Sequence, residues 1–152
     1  MKKNIKYLSL ILIALVLFTR LLPHAPNFTP VISVILFSAM CFTKKFSWIV
    51  PFVAIIISDF ILGATGKFHY LSLAFVDGGL SIHFTWLFVL VYLSFIIIYL
   101  FCKYSSKITA INVITNTLVG SVLFFVLSNF AVWITGGYPM NMSGLIACYA
   151  AG

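Results

Sequence analysis

Apolar residues come in long unbroken runs along this chain, separated by short polar stretches. The runs fall at Ile5–Leu22, Val31–Phe42, Phe46–Leu62, Phe84–Cys102 and Ile108–Phe130, and a sixth begins at Ser143. A helix needs about 20 apolar residues to cross the hydrocarbon of a bilayer. The pattern therefore predicts an all-α integral membrane protein: one membrane domain over residues 1–152, folded as a bundle of six transmembrane helices. The second run gives only about 18 Å of helix at the usual rise per residue, so it needs a protein-packed or thinned setting. Thr29 is expected to cap it, with Pro30 at the first helical position, where a missing N–H costs little. Ser47 is expected to cap the third run, leaving Pro51 in its tolerant first turn. The last run, "SGLIACYAAG", covers roughly half a membrane, so the sixth span reads as incomplete and in need of about ten further apolar residues.

Composition strengthens this picture. Of 152 residues, 63% are hydrophobic and 7% charged, with a mean hydropathy of +1.20. A soluble domain carries about 25% charged residues, so this surface is not made for water. The opening "MKKNIKYLSLILIALVLF" has the basic head and apolar core of a signal peptide. Arg20 follows at once and no A-x-A site appears, so it reads as a retained first span. The odd cysteines, Cys41, Cys102 and Cys148, have no disulfide or metal spacing and read as small packing residues.

The net charge of +7 is first a topology signal. With the N-terminus in the cytoplasm, Lys2, Lys3, Lys6, Lys44, Lys45, Lys103 and Lys107 fall inside, and Arg20 and Lys67 outside. That is the bias of the positive-inside rule, and it leaves no case for a nucleic-acid partner. It also puts Arg20–Pro30, Gly63–His83 and Ser128–Met142 on the outer side, where nearly all the distinctive polar residues lie.

Among these, Asp59 stands at membrane depth near the end of a span and needs a compensating partner, with Arg20, His24 and Lys67 on its side. It serves as a structural ion pair tying span 3 to span 1, as a ligand contact, or as a simply exposed interfacial residue. Asn129 and Trp133, four apart, share a helix face and could bond and stack a planar polar ligand; the plainer reading is a helix-end cap and an interfacial anchor. Asn112, Asn116 and Gly120 align at the same spacing, most simply as interhelical glue. Pro23, Pro26 and Pro30 stiffen "RLLPHAPNFTP" into a shaped lid that would hold His24 and Asn27 inward, with Tyr138 in the turn Gly136–Pro139 as further support. His24, His69, Asp59 and Asp77 lack metal-ligand spacing, so neither a metal nor another cofactor is expected. Nucleophile–base pairs, phosphate loops and paired carboxylates are likewise missing from the sequence, which points away from an enzyme.

Four motifs carry a resemblance: R-L-L-P-H-x-P-N-F-T-P (Arg20–Pro30), S-D-x-x-L-G (Ser58–Gly63), S-N-F-x-V-W (Ser128–Trp133) and G-L-x-x-C-Y (Gly144–Tyr149). Together they resemble a family of small, uncharacterised bacterial membrane proteins. That family is similar in topology to the substrate-binding S components of energy-coupling-factor (ECF) micronutrient importers. The resemblance implies six helices in the bacterial inner membrane, a cytoplasmic N-terminus, and a pocket roofed by the outer loops after helices 1, 3 and 5. It also implies a small-molecule ligand and an ATP-hydrolysing energy-coupling module as partners, beside the lipid bilayer. One departure is visible: the first span has only Ser9 and Ala14 as small residues. The small-x-x-x-small spacing falls instead on Ser143, Ala147 and Ala151, where it suits close helix contact.

The expectation is thus a substrate-capturing membrane subunit of an importer, with His24, Asn27, Asp59, Asn129 and Trp133 at the ligand and Arg20, Thr29, Pro30 and Tyr138 in support. The alternative is a non-transporting membrane scaffold, similar to proteins of the rod-shape cell-wall machinery. Polarity converging from three outer loops favours the first.

Overall fold

The computed structural model describes residues 2–22, 30–42, 45–65, 71–76, 79–104 and 108–152. Six helices run through them: α1 (Lys2–Leu21), α2 (Val31–Cys41), α3 (Phe46–Ala64), α4 (Trp86–Tyr104), α5 (Ala110–Val132) and α6 (Met142–Ala151). Their bounds lie within three residues of the apolar runs. Three of them, α3, α4 and α5, are long and apolar enough to cross a membrane. Between α3 and α4 lies an antiparallel hairpin, β1 (Leu71–Val76) and β2 (Gly79–Phe84), with Leu71 opposite Phe84 and Val76 opposite Gly79. The sequence pattern predicts only an outer loop here, within Gly63–His83. The alternation of apolar and polar residues in "LSIHF" carries the period-2 signal, short beside the helical runs around it.

The short helix α2 is the centre of the bundle. It packs against α3, α4 and α5, and Val31, Val34, Ile35, Leu36, Ser38 and Ala39 are all buried. Val16 of α1, Ala54 and Ile55 of α3, and Phe95 and Ile98 of α4 close the core around it. An 11-residue helix gives about 16 Å of rise, too little to meet water at both ends, so its terminal carbonyls need protein donors. Lys103 supplies them: its Nζ donates to Phe42 O at 3.2 Å and lies 3.5 Å from Ala39 O. A cation there also complements the negative end of the α2 dipole.

Local details depart from expectation at both proline helices. Pro30 stands before α2 rather than inside it, and its own carbonyl accepts from Val34 N at 2.9 Å; Thr29 lies outside the described residues. Ser47 does not cap α3. It sits inside the helix, fully buried, with its hydroxyl 2.7 Å from the Tyr99 hydroxyl of α4. Because α3 begins at Phe46, Pro51 falls in the second turn, opposite the Ser47 carbonyl that it cannot serve. Burying Ser47 against Tyr99 satisfies more than a cap at the helix end would.

At the other end, α5 runs into a wide π-turn, Trp133–Gly137, in which Gly136 takes φ 87°. Asn141 then caps α6, accepting from Gly144 N at 2.8 Å. The face of α6 that meets α5 is Gly144 and Cys148, with Cys148 Sγ donating to Asn129 O at 3.2 Å and Tyr149 Oη to Val126 O at 2.7 Å. Ser143, Ala147 and Ala151, the small residues expected at a close helix contact, are exposed. The cap and the thiol and phenol contacts fix the rotation of α6 about its axis one residue away from that stripe. Cys102 and Cys148 are buried, as packing residues should be, while Cys41 is exposed.

Two glycines test this packing in opposite directions. A Cβ at Gly144 would be driven into the Pro139 carbonyl oxygen, whereas at Gly120 the nearest atom is Ile98 Cγ2 at 3.5 Å, ordinary contact. Gly144→Ala is expected to destabilise the purified protein by about 1–3 kcal/mol. Gly120→Ala, gaining up to about 1 kcal/mol of helix propensity, should be neutral or stabilising. Thermal unfolding in detergent measures both.

Candidate functional site

A carboxylate placed among apolar helices has to find its partners within the protein. Asp59 is 2% exposed and finds them on two other helices. Arg20 Nη1, from the last turn of α1, lies 2.6 Å from its Oδ1, and Tyr92 Oη of α4 donates to its Oδ2 at 2.6 Å. The same Nη1 donates to Ser58 Oγ at 2.5 Å, and Ser58 in turn donates to Ile55 O. The contact with Oδ1 is thus an ion pair set beside a hydrogen bond. The guanidinium also completes α1 favourably, as a cation at the negative end of its dipole.

This knot forms one wall of a cavity of about 600 Å³. Arg20 and Asp59 line it together with the first turn of α2, Val31–Ser33, and with Phe88, Tyr92 and Phe95 of α4. The opposite wall is α5, which contributes Thr117, Ser121, Ser128 and Asn129, with Phe124 and Phe125 between them. Their spacing keeps them on one helix face. The adjoining face, Asn116 and Gly120, is buried and turned to other helices: Asn116 Nδ2 is 3.5 Å from Met40 Sδ, and Gly120 faces Ile98, Leu36 and Ile32. Asn116 and Gly120 thus sit between helices, as the glue reading expects of them, while Asn112 is half-buried. Arg20, Val31, Asp59, Phe88 and Val132 stand toward one end of their helices, so the cavity reaches that end of the bundle, while Thr117 extends it past the middle of α5.

Aromatic rings make up much of its surface. Phe88 and Tyr92 have ring centroids 4.4 Å apart, and Phe95 and Phe124 stack at 5.3 Å with an interplanar angle of 4°. Cavities of this volume, mostly apolar with a few placed polar groups, are of the size and kind that hold small molecules.

The structure brings Asp59, Arg20 and Asn129 to one cavity. Asn129 caps no helix; its Nδ2 donates to Phe125 O one turn back, at 2.8 Å. Trp133 is not among the lining residues. Its indole Nε1 donates to Pro139 O at 3.0 Å, and its ring rests against Phe130, so it pins the Gly136–Pro139 turn. Trp133 opens the π-turn in which α5 ends, so it leaves the α-helical face that carries Asn129. Tyr138 is half-buried just after the π-turn, and Pro30 is half-buried before α2. His24, Asn27 and Thr29 lie outside the described residues. Sequence reasoning passed over Tyr92, Ser33 and the α5 hydroxyls. The signal was present as Thr117, Ser121 and Ser128 at helical spacing, next to the amide stripe that drew attention instead.

Six helices, three of them long and apolar enough to span, define a multi-pass membrane protein, here with an aromatic and polar cavity at one end of the bundle. Over its whole length, residues 1–152, the chain belongs to DUF6580, a family of unknown function. No curated protein and no solved structure matches it.

The knot makes a clear energetic demand. Arg20→Met leaves a buried carboxylate without its cation, and Asp59→Leu leaves the reverse. Each is expected to cost about 3–5 kcal/mol, and the double change to recover most of that loss. Unfolding midpoints of the three variants in detergent check the coupling.

Proposed function

We propose that this protein is the substrate-capturing membrane subunit of a micronutrient or vitamin importer, its ligand site open to the outer face of the bacterial cytoplasmic membrane. The observation that carries this reading is the cavity of about 600 Å³, at the end of the bundle that the lysine distribution assigns to the outside. A pocket walled on one side by a buried ion pair and on the other by a row of hydroxyls and an amide suits capture of a small molecule. It has no evident use in a scaffold. In this reading all six helices belong to the membrane domain, the N-terminus is cytoplasmic, and α2 crosses only with the help of its protein surroundings. Asn129 and the Asp59 knot meet the ligand. Trp133 and Tyr138 shape the rim; His24 and Asn27, proposed as further ligand contacts, lie outside the described residues. The sequence holds no nucleotide-binding motif, so uptake would draw on an ATP-hydrolysing partner, in keeping with the likeness to ECF S components.

Mass spectrometry of small molecules that co-purify with the full-length protein tests this directly. A specific compound should be retained by the wild type and lost on Ser121→Phe and on Ser33→Phe, which fill the cavity from two helices. Absence of any retained compound, with cell-wall proteins captured instead, would establish the scaffold. Orientation is checked separately in a cysteine-free background of intact cells. An impermeant thiol reagent should label Thr65→Cys and spare Lys45→Cys, and the opposite pattern overturns the orientation.

A further inference from the structure

The cavity's two charged side chains, and the protons of three of its five hydroxyls, are already committed, and this constrains what enters. Among the described lining residues there is one cation, Arg20, and one anion, Asp59, and they are in contact with each other at 2.6 Å. The remaining polar lining consists of hydroxyls and the Asn129 amide, all neutral. A hydroxyl has one proton to give and two lone pairs to offer. Three of these hydroxyls give their proton to the protein: Thr117 Oγ1 donates to Val113 O at 2.8 Å, Ser128 Oγ to Phe124 O at 2.6 Å, and Tyr92 Oη to Asp59 Oδ2 at 2.6 Å. What they offer the cavity is lone pairs.

We infer that the site selects an uncharged, planar, largely apolar molecule bearing an O–H or N–H donor, whose donor is received by a hydroxyl oxygen of α5, that of Thr117 or of Ser128. This rests on the cavity being a ligand site, as proposed above. A charged ligand would lose its water and meet a cation and an anion that already neutralise each other. Planarity follows from the flat aromatic surfaces of Phe88, Tyr92, Phe95 and Phe124, which favour stacking over bulk. The donor requirement follows from the orientation of the three hydroxyl protons. The one feature that pulls toward an anion is the start of α2 at Val31–Ser33, where the helix dipole contributes about half a unit charge. A test must therefore include an anion.

Three matched probes separate these properties: 2-naphthol (neutral, donor), 2-methoxynaphthalene (neutral, no donor) and 2-naphthoate (anion). Saturable binding to the full chain in nanodiscs at neutral pH is measured for each. Uptake by nanodiscs holding Ser121→Phe, and independently Ser33→Phe, is subtracted as lipid partitioning. The expected order is 2-naphthol, then 2-methoxynaphthalene about three- to tenfold weaker, then 2-naphthoate weakest. The double variant Thr117→Val/Ser128→Ala, whose lost hydroxyls bond only to their own helix, should erase the advantage of 2-naphthol and leave 2-methoxynaphthalene unchanged. Naphthoate binding as tightly as naphthol, and lost in the filled variants, overturns the neutral-ligand inference while the ligand site stands. Equal binding of naphthol and its methyl ether, or an advantage that survives the double variant, overturns the role of the α5 oxygens. No saturable binding of any probe above the filled variants counts against the inference and the ligand site together.

Discussion

The contact between Arg20 and Asp59 organises this protein. A carboxylate buried among membrane helices has no water to call on, so it fixes whatever neutralises it. Here it draws in a guanidinium from α1 and a phenol from α4, and three helices that are distant in sequence are held at one point. The side chain of Ser58, beside Asp59, accepts from the same guanidinium, so the knot has little freedom to rearrange. It is costly to form and specific in geometry. That combination suits a device that sets the shape of a cavity wall.

The cavity depends equally on how short α2 is. A helix of 11 residues at the centre of a bundle of longer ones leaves space beyond its end, and its first turn lines the cavity. The cost of ending a helix inside the protein appears at its other terminus, where Lys103 reaches across from α4 to the carbonyls of Ala39 and Phe42. The same residue that signals cytoplasmic orientation in the sequence thus caps a helix in the fold. The two roles are compatible, because Lys103 and the C-terminus of α2 meet at one end of the bundle.

Asn129 and Trp133 show how a shared motif divides its work. Both stand in S-N-F-x-V-W, yet Asn129 lines the cavity and Trp133 is bound to Pro139, holding the turn that leads into α6. Gly144 then lets α6 approach the Pro139 carbonyl, where any Cβ would collide. The tryptophan N–H is used here on the backbone, outside the lining of the cavity.

Much of the fold was legible in the sequence. The six helices follow the apolar runs to within a few residues, because the hydrophobic length of a segment is a local property and the backbone in hydrocarbon must satisfy its own hydrogen bonds. The pairing of Asp59 with Arg20 was also legible, since few charges exist that could meet it. The hairpin was missed because its period-2 signal is brief, and the Ser47 cap was misassigned because a cap residue and a buried interhelical hydroxyl look alike in one dimension. Which of two adjacent α5 stripes faces a cavity, and which face of α6 meets α5, could not be read from spacing. A helix of fixed sequence still has a rotation about its axis, and that rotation is decided by contacts from other helices: by Met40, Leu36 and Ile98 against Asn116 and Gly120, and by Asn129 against Cys148. The sequence by itself determined the helices and their charge balance; the tertiary structure decided the rotations, and with them the cavity.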